Sequence, residues 1–239
     1  MHSLSVPSSL TLHVCENQLF KIVELYCIAV SRQDLAGNGH SPTECQAKLI
    51  KVFHHVLDPE RCIDYEASQS TGFTNDDTNY CPTFQMIFKE LYHFLAELPK
   101  PVCLVAHNGN AFDFRYIRNE CNCINRSLPE DLLCADSKLG FQKLLKGEPG
   151  RKQYGLPALY KRFVGVDITP VRAEEKAKML LQCIMHTKDE FLSWADDNCK
   201  CGTYTTLKLF DTYNLQKRNA ENKIKLCLWC GDAVFFLSR

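Results

Sequence analysis

Val102-Cys103-Leu104-Val105-Ala106-His107-Asn108-Gly109-Asn110-Ala111-Phe112-Asp113-Phe114 is the stretch from which the fold is read. The apolar residues Val102 to Ala106 predict a short buried strand, and His107, Asn108 and Gly109 a polar turn at its end. A helix is expected from about Phe112 to Glu120, with Asp113 in its first turn, where the helix dipole favours a carboxylate. Such a carboxylate is well placed as a metal ligand. Magnesium takes hard oxygen donors, and an acid held by rigid secondary structure can share the ion with a phosphate oxygen. Asp113 is equally accounted for as a helix-start acid, and His107 as a buried, hydrogen-bonded ring.

Upstream, Phe84, Ile87, Phe88, Leu91, Leu95 and Leu98 recur at steps of three and four, one apolar helix face across Pro82 to Leu98 that Pro99 and Pro101 terminate. Ile22 to Val30 is an apolar, β-branched run broken by Glu24 and reads as a buried strand. Lys48 to Leu57 alternates Ile50, Val52, His54 and Val56 with other residues, as in a neighbouring strand with one face buried. Downstream come a strand near Leu132 to Ala135 and a helix from Ser137 to Leu145. Ala173, Ala177, Leu180, Leu181 and Ile184 give a further helix face. A capping box of Thr187 and Glu190 is expected before a helix bearing Phe191 and Trp194. Strand and helix alternate, so the class is α/β. Residues 1–18 form an atypical Ser-rich start with a possible strand across Leu10 to Val14. Residues 19–198 form the main domain, and residues 199–239 a Cys-containing extension expected as an appendage.

At 239 residues the chain suits one domain. The 28 basic and 28 acidic residues cancel, so any contact with a polyanion must be local rather than drawn by a global field. Fourteen cysteines without an apolar signal-peptide core are read as reduced thiols. No apolar run reaches the roughly 20 residues of a membrane helix. These features predict a soluble, intracellular protein, nuclear or cytoplasmic.

Leu104 to Gly109 followed by Phe112-Asp113-Phe114 resembles the second motif of the three-prime repair exonucleases, members of the DEDDh superfamily. Other stretches agree in order: Lys21 to Leu25, Glu66-Ala67-Ser68 and Ser70-Thr71-Gly72-Phe73, Cys134 to Ser137, and Tyr154-Gly155-Leu156 through Tyr160. Several weak motifs in the right order are more specific than one. The resemblance implies a ribonuclease-H-like fold, a mixed sheet flanked by helices. It also implies a hydrolase that removes nucleotides from DNA 3′ ends, single- or double-stranded, with magnesium or manganese. In that family four carboxylates hold two cations that activate water and stabilise the leaving oxygen, and a histidine is the base. Carried over to this chain, Asp113 becomes the catalytic metal ligand, and His107, Asn108, Thr71, Gly72 and Phe73 substrate contacts.

The chain departs from that pattern. No aspartate precedes Asp34, so the first-strand Asp-x-Glu motif is missing, and Glu16 lies too close to Glu24 to replace it. In the late motif, Pro170 to Ala177, Val171 stands for the base histidine and Lys176 for the aspartate. A lysine there repels metal. Weak or absent catalysis is the expectation, with two histories: a pseudo-nuclease that binds 3′ ends, or a truncated or alternatively started product lacking its first strand. A non-catalytic protein-binding module is the alternative from another class.

Cys199, Cys201, Cys227 and Cys230 could together supply four thiolates to a zinc ion that stabilises an interaction domain, or they could be chance pairs in a Cys-rich chain. Lys143, Lys146, Arg151, Lys152, Lys161 and Arg162 beside Tyr154 and Tyr160 fit a strand-binding groove or a solvated face. By analogy with the family, a homodimer would form through the strand at Ile22 to Val30 and its neighbours.

Overall fold

The computed structural model describes residues 20–36, 49–145, 154–170, 172–201, 227–230 and 234–238. The possible strand at residues 10–14 and Glu16 lie outside them. Strand β1 (Phe20–Ser31) pairs antiparallel with β2 (Leu49–Val56). Strand β3 (Val102–Ala106) runs parallel to β4 (Leu133–Asp136), which the short β5 (Lys200–Cys201) flanks antiparallel. Two strands come from the C-terminal extension, β6 (Cys227–Cys230) and β7 (Val234–Ser238), both parallel to β1. The sheet order is β2-β1-β7-β3-β4-β5, with β6 on β1 beside its start.

The described strands of the extension are therefore part of the sheet, not an appendage to it. β7 is inserted between β1 and β3 and hydrogen-bonds to both, with Val234 opposite Cys27 on one side and Ala106 on the other. β1 and β3 are buried strands, so a ladder of unpaired amides between them would be costly, and β7 satisfies it. This also makes β1 an interior strand, while β2 is an outer strand of the sheet.

Side chains on a strand alternate between faces. On β1, Val23, Tyr26, Ile28 and Val30 enter one core, while Leu25, Cys27 and Ala29 enter the other. On β3, Cys103 and Val105 take the first face, and Val102, Leu104 and Ala106 the second. The second face is covered by α4 (Phe84–Ala96) and α5 (Asp113–Cys123). The first is covered by α6 (Ser137–Leu144), α7 (Leu156–Val164), α8 (Ala173–His186) and α9 (Lys188–Asn198). A β-carbon at Gly140 on α6 would lie 2.8 Å from the Trp194 ring, so glycine there lets α6 and α9 meet closely.

The expected capping box at Thr187 does not form. Thr187 ends α8 as well as starting α9, and its hydroxyl donates back to the Cys183 carbonyl at 3.4 Å. Glu24, 1 % exposed on β1, instead fixes the start of α8. Its carboxylate accepts from the Ala173 N–H at 2.9 Å and from the Arg172 guanidinium at 3.1 and 3.2 Å.

Candidate functional site

The turn after β3 is held from below by Asp136, the last residue of β4 and the N-cap of α6. Its carboxylate accepts the N–H groups of Asn108 (2.9 Å), Asn110 (3.1 Å) and Lys138 (3.1 Å). Burial pushes the Asp136 carboxyl upward, and the three N–H donors hold that rise in check. Asn108 has φ of 62°, a left-handed conformation that asparagine tolerates. Gly109 permits the close turn: a β-carbon there would meet the Ala106 β-carbon and the Phe114 ring at 2.8 Å.

His107 is buried, and both ring nitrogens face protein groups. Nε2 lies 2.8 Å from the Tyr154 carbonyl, which can only accept, so Nε2 carries the proton. In the neutral ring Nδ1 is then the acceptor and faces Ser137 Oγ at 3.1 Å. Desolvation pulls the imidazole down to about 4 despite the Tyr154 carbonyl. His107 is thus a neutral ring that joins the turn to α6 and to the segment before α7.

Asp113, at the first position of α5, is 0 % exposed. Its charge is felt by the Cys27 thiol on β1, whose pKa is raised first by burial and then by Asp113. Val234 of β7 pairs with both Cys27 and Ala106 at this end of the sheet.

A cleft of about 250 Å³ opens beside the turn, lined among others by His107, Asn108, Lys138, Leu156, Thr169 and Lys176. Asp113 is not part of its wall. The lining brings an amide, a hydroxyl and two ammonium groups to one concave surface, a donor-rich set suited to an anion.

Among the other expected site residues, Thr71 and Gly72 close α2 (Tyr65–Thr71), with Gly72 in a left-handed C-cap. The buried Thr71 hydroxyl donates to the Ala67 carbonyl at 2.8 Å. Phe73 is buried, and the Arg172 guanidinium stands 3.9 Å over its ring. These three residues do not line the cleft; Arg172, one helical turn before Lys176, links them to it. Val171, Lys146, Arg151 and Lys152 lie outside the described residues. The Tyr154 ring is buried in the core, so its carbonyl rather than its ring faces the site. Cys201 is on β5, and Cys227 and Cys230 are on β6, which pairs with β1; in the strand order β4, β3 and β7 lie between β5 and β1, so these strands are not neighbours. Among the described residues no three His, Cys, Asp or Glu side chains are grouped to hold a metal.

Asp136 and Lys138 were not singled out from the sequence. Asp136 carries a readable signal, an acid at the junction of a short apolar strand and a helix, the same pattern that marks Asp113. Lys138 carries none.

A mixed sheet with helices on both faces and a turn leading into a helix at the end of β3 define the α/β architecture, and solved structures share it. The nuclease domain of 3′hExo, a DEDDh family member solved with rAMP bound, superposes with a TM-score of 0.51 at 13 % identity, covering 75 % of this chain and 94 % of that one. A full-length 3′-exonuclease gives 0.51 at 12 % identity, over 70 % of this chain and 82 % of that one. No family model matches the chain. Three prime repair exonuclease 2 of Mus musculus is 30 % identical over 192 residues, 75 % of this chain and 81 % of the relative. The Homo sapiens protein of that name is 28 % identical over the same shares. The chain belongs to the three prime repair exonuclease family. No helix among the described residues is long and apolar enough to cross a membrane.

Proposed function

We propose that this chain recognises nucleic-acid 3′ ends, in the first place DNA, single- or double-stranded, and that its hydrolytic activity is weak or lost. One observation carries the reading. Lys176, standing where the family's late motif has an aspartate, lines the same cleft as His107 and Asn108, and Lys138 joins it.

The magnesium or manganese centre implied by the family was tested against the residues present. A pair of cations needs converging carboxylates. Here Asp113 is enclosed, the cleft wall bears two ammonium groups, and the described residues offer no cluster of three metal donors. This donor set does not fit a two-cation centre. It fits the last phosphodiester of a strand, with the lysines as point charges and the Asn108 and Thr169 side chains as hydrogen-bonding partners. His107, neutral and with both nitrogens engaged, positions the turn and takes no proton from water.

A solved structure described as 3′-end-specific recognition of a histone mRNA stem-loop by a 3′-exonuclease shares the fold, with a TM-score of 0.50 at 14 % identity, over 69 % of this chain and 65 % of that one. RNA ends are therefore the competitor ligand to include. We place the protein in the nucleus or cytoplasm, and a homodimer contact on the outer strand β2. The test is an exonuclease assay on 3′-labelled single-stranded DNA with magnesium or manganese, with binding measured in parallel. Binding without shortening supports the proposal. Metal-dependent nucleotide release that Asp113→Ala abolishes refutes it.

A further inference from the structure

The last phosphodiester of a strand carries a single negative charge and two unesterified oxygens, and the cleft offers more than that. Lys138 and Lys176 bring ammonium groups to it, Asn108 an amide and Thr169 a hydroxyl, and among the described residues that line it none is acidic. One phosphodiester therefore leaves a positive charge unbalanced. A phosphomonoester carries roughly two negative charges near neutral pH and three strong acceptor oxygens, so it matches both ammonium groups and engages more of the donors.

The donors are held in place by the fold itself. The N–H groups of Asn108 and Lys138 donate to the same oxygen of Asp136, at 2.9 and 3.1 Å, which sets the turn and the first turn of α6 side by side. His107 ties that turn to the α7 side of the cleft, since its Nε2 donates to the Tyr154 carbonyl at 2.8 Å and Gly155, Leu156 and Pro157 of the lining follow directly. Lys176 stands one turn into α8, whose start Glu24 fixes through the Ala173 N–H at 2.9 Å and the Arg172 guanidinium at 3.1 and 3.2 Å. Asp136, His107 and Glu24 are all buried, so the elements that carry the donors need little ordering when an anion arrives.

We infer that the cleft selects strands ending in a 3′-phosphate over strands ending in a 3′-hydroxyl, which rests on the cleft's being a 3′-end site. The group recognised is a phosphomonoester dianion, and inorganic phosphate supplies the same chemistry. The lining favours the strand: Leu156, Pro157 and Pro170 add apolar surface beside the donors, which a terminal sugar and base cover and a lone ion leaves wet. At about 250 Å³ the cleft is smaller than the roughly 300–1,000 Å³ of sites that enclose a drug-sized ligand, so it takes one terminal residue rather than a longer stretch. A 3′-phosphate lacks the hydroxyl on which a strand is extended, so the ends selected are blocked ones.

The test uses the full chain in EDTA and fluorescence anisotropy with one single-stranded DNA sequence, labelled at its 5′ end and finished at its 3′ end with either a hydroxyl or a phosphate. The 3′-phosphate strand is expected to bind about tenfold more tightly. Lys138→Gln and Lys176→Gln should each remove most of that preference, and Lys176→Arg, which keeps the charge, should retain it; wild-type melting temperatures establish that the variants are folded. Inorganic phosphate should displace the 3′-phosphate strand only far above the concentration at which an unlabelled copy does, and competition at equal concentration overturns the inference in favour of the free ion. Equal affinity for the two endings also overturns it. In that event the cleft is still a 3′-end site if the lysine variants weaken both strands, and is not one if a circular strand without ends competes as well as a linear one.

Discussion

Acidification should destabilise the fold through His107. The imidazole is 5 % exposed, and desolvation lowers its pKa from 6.5 to about 4. Between those values the unfolded chain binds a proton that the folded chain refuses. Stability from this group is therefore intact above pH 6.5 and is lost as pH falls toward 4. At ~1.4 kcal/mol per pKa unit, the full span is worth about 3 kcal/mol, and about 2 kcal/mol of it is lost by pH ~5. Urea unfolding of the wild type and of His107→Gln at pH ~7.5 and ~5.0 isolates the effect, because the other titrating groups are common to both proteins. The wild type should lose about 2 kcal/mol more than the variant on acidification. Equal losses would mean that His107 is not held neutral by burial, and the assignment of its ring nitrogens to Tyr154 and Ser137 would fail with it.

Gly109→Ala should cost about 1–3 kcal/mol in urea unfolding, since its β-carbon would overlap Ala106 and Phe114 at 2.8 Å. Glu24→Gln should cost about 1.5–3 kcal/mol by removing the charged acceptor for Arg172 and the Ala173 N–H, with faster amide exchange in the first turn of α8 as the local readout. Asp136→Ala should leave the N–H groups of Asn108 and Asn110 without their acceptor. A loss of about 1–3 kcal/mol is expected, together with weakened binding of oligonucleotide 3′ ends.

Apolar periodicity made most of the sheet and its covering helices readable before the structure. Val102 to Ala106 forms a strand over the predicted residues, because five consecutive apolar residues between a proline and a polar turn leave few alternatives. The α4 face and the strand around Ile22 to Val30 were equally plain. The place of β7 was not, because a short apolar run at the end of a polar tail says nothing about which strands lack a partner. Strand insertion is decided by unpaired amides on β1 and β3, which are distant in sequence. At the site, Asp113 and His107 were legible from the turn that separates them. Their enclosure depends on packing from α5, α6 and the segment before α7, and pattern does not encode that. The role of Lys176 was visible only as a departure from a family motif; its position in a cleft with Lys138 needed α6 and α8 brought together.

Whether the lysine-lined cleft holds the last phosphodiester of a 3′ end without metal is most directly tested by fluorescence anisotropy with a single-stranded DNA carrying a free 3′ end, in EDTA and then in magnesium. The expected result is binding unchanged by EDTA and weakened about tenfold, ~1.4 kcal/mol, by Lys138→Ala or Lys176→Ala, with the oligonucleotide recovered at full length. Binding that requires magnesium, is indifferent to both lysines and ends in a shortened strand would contradict it.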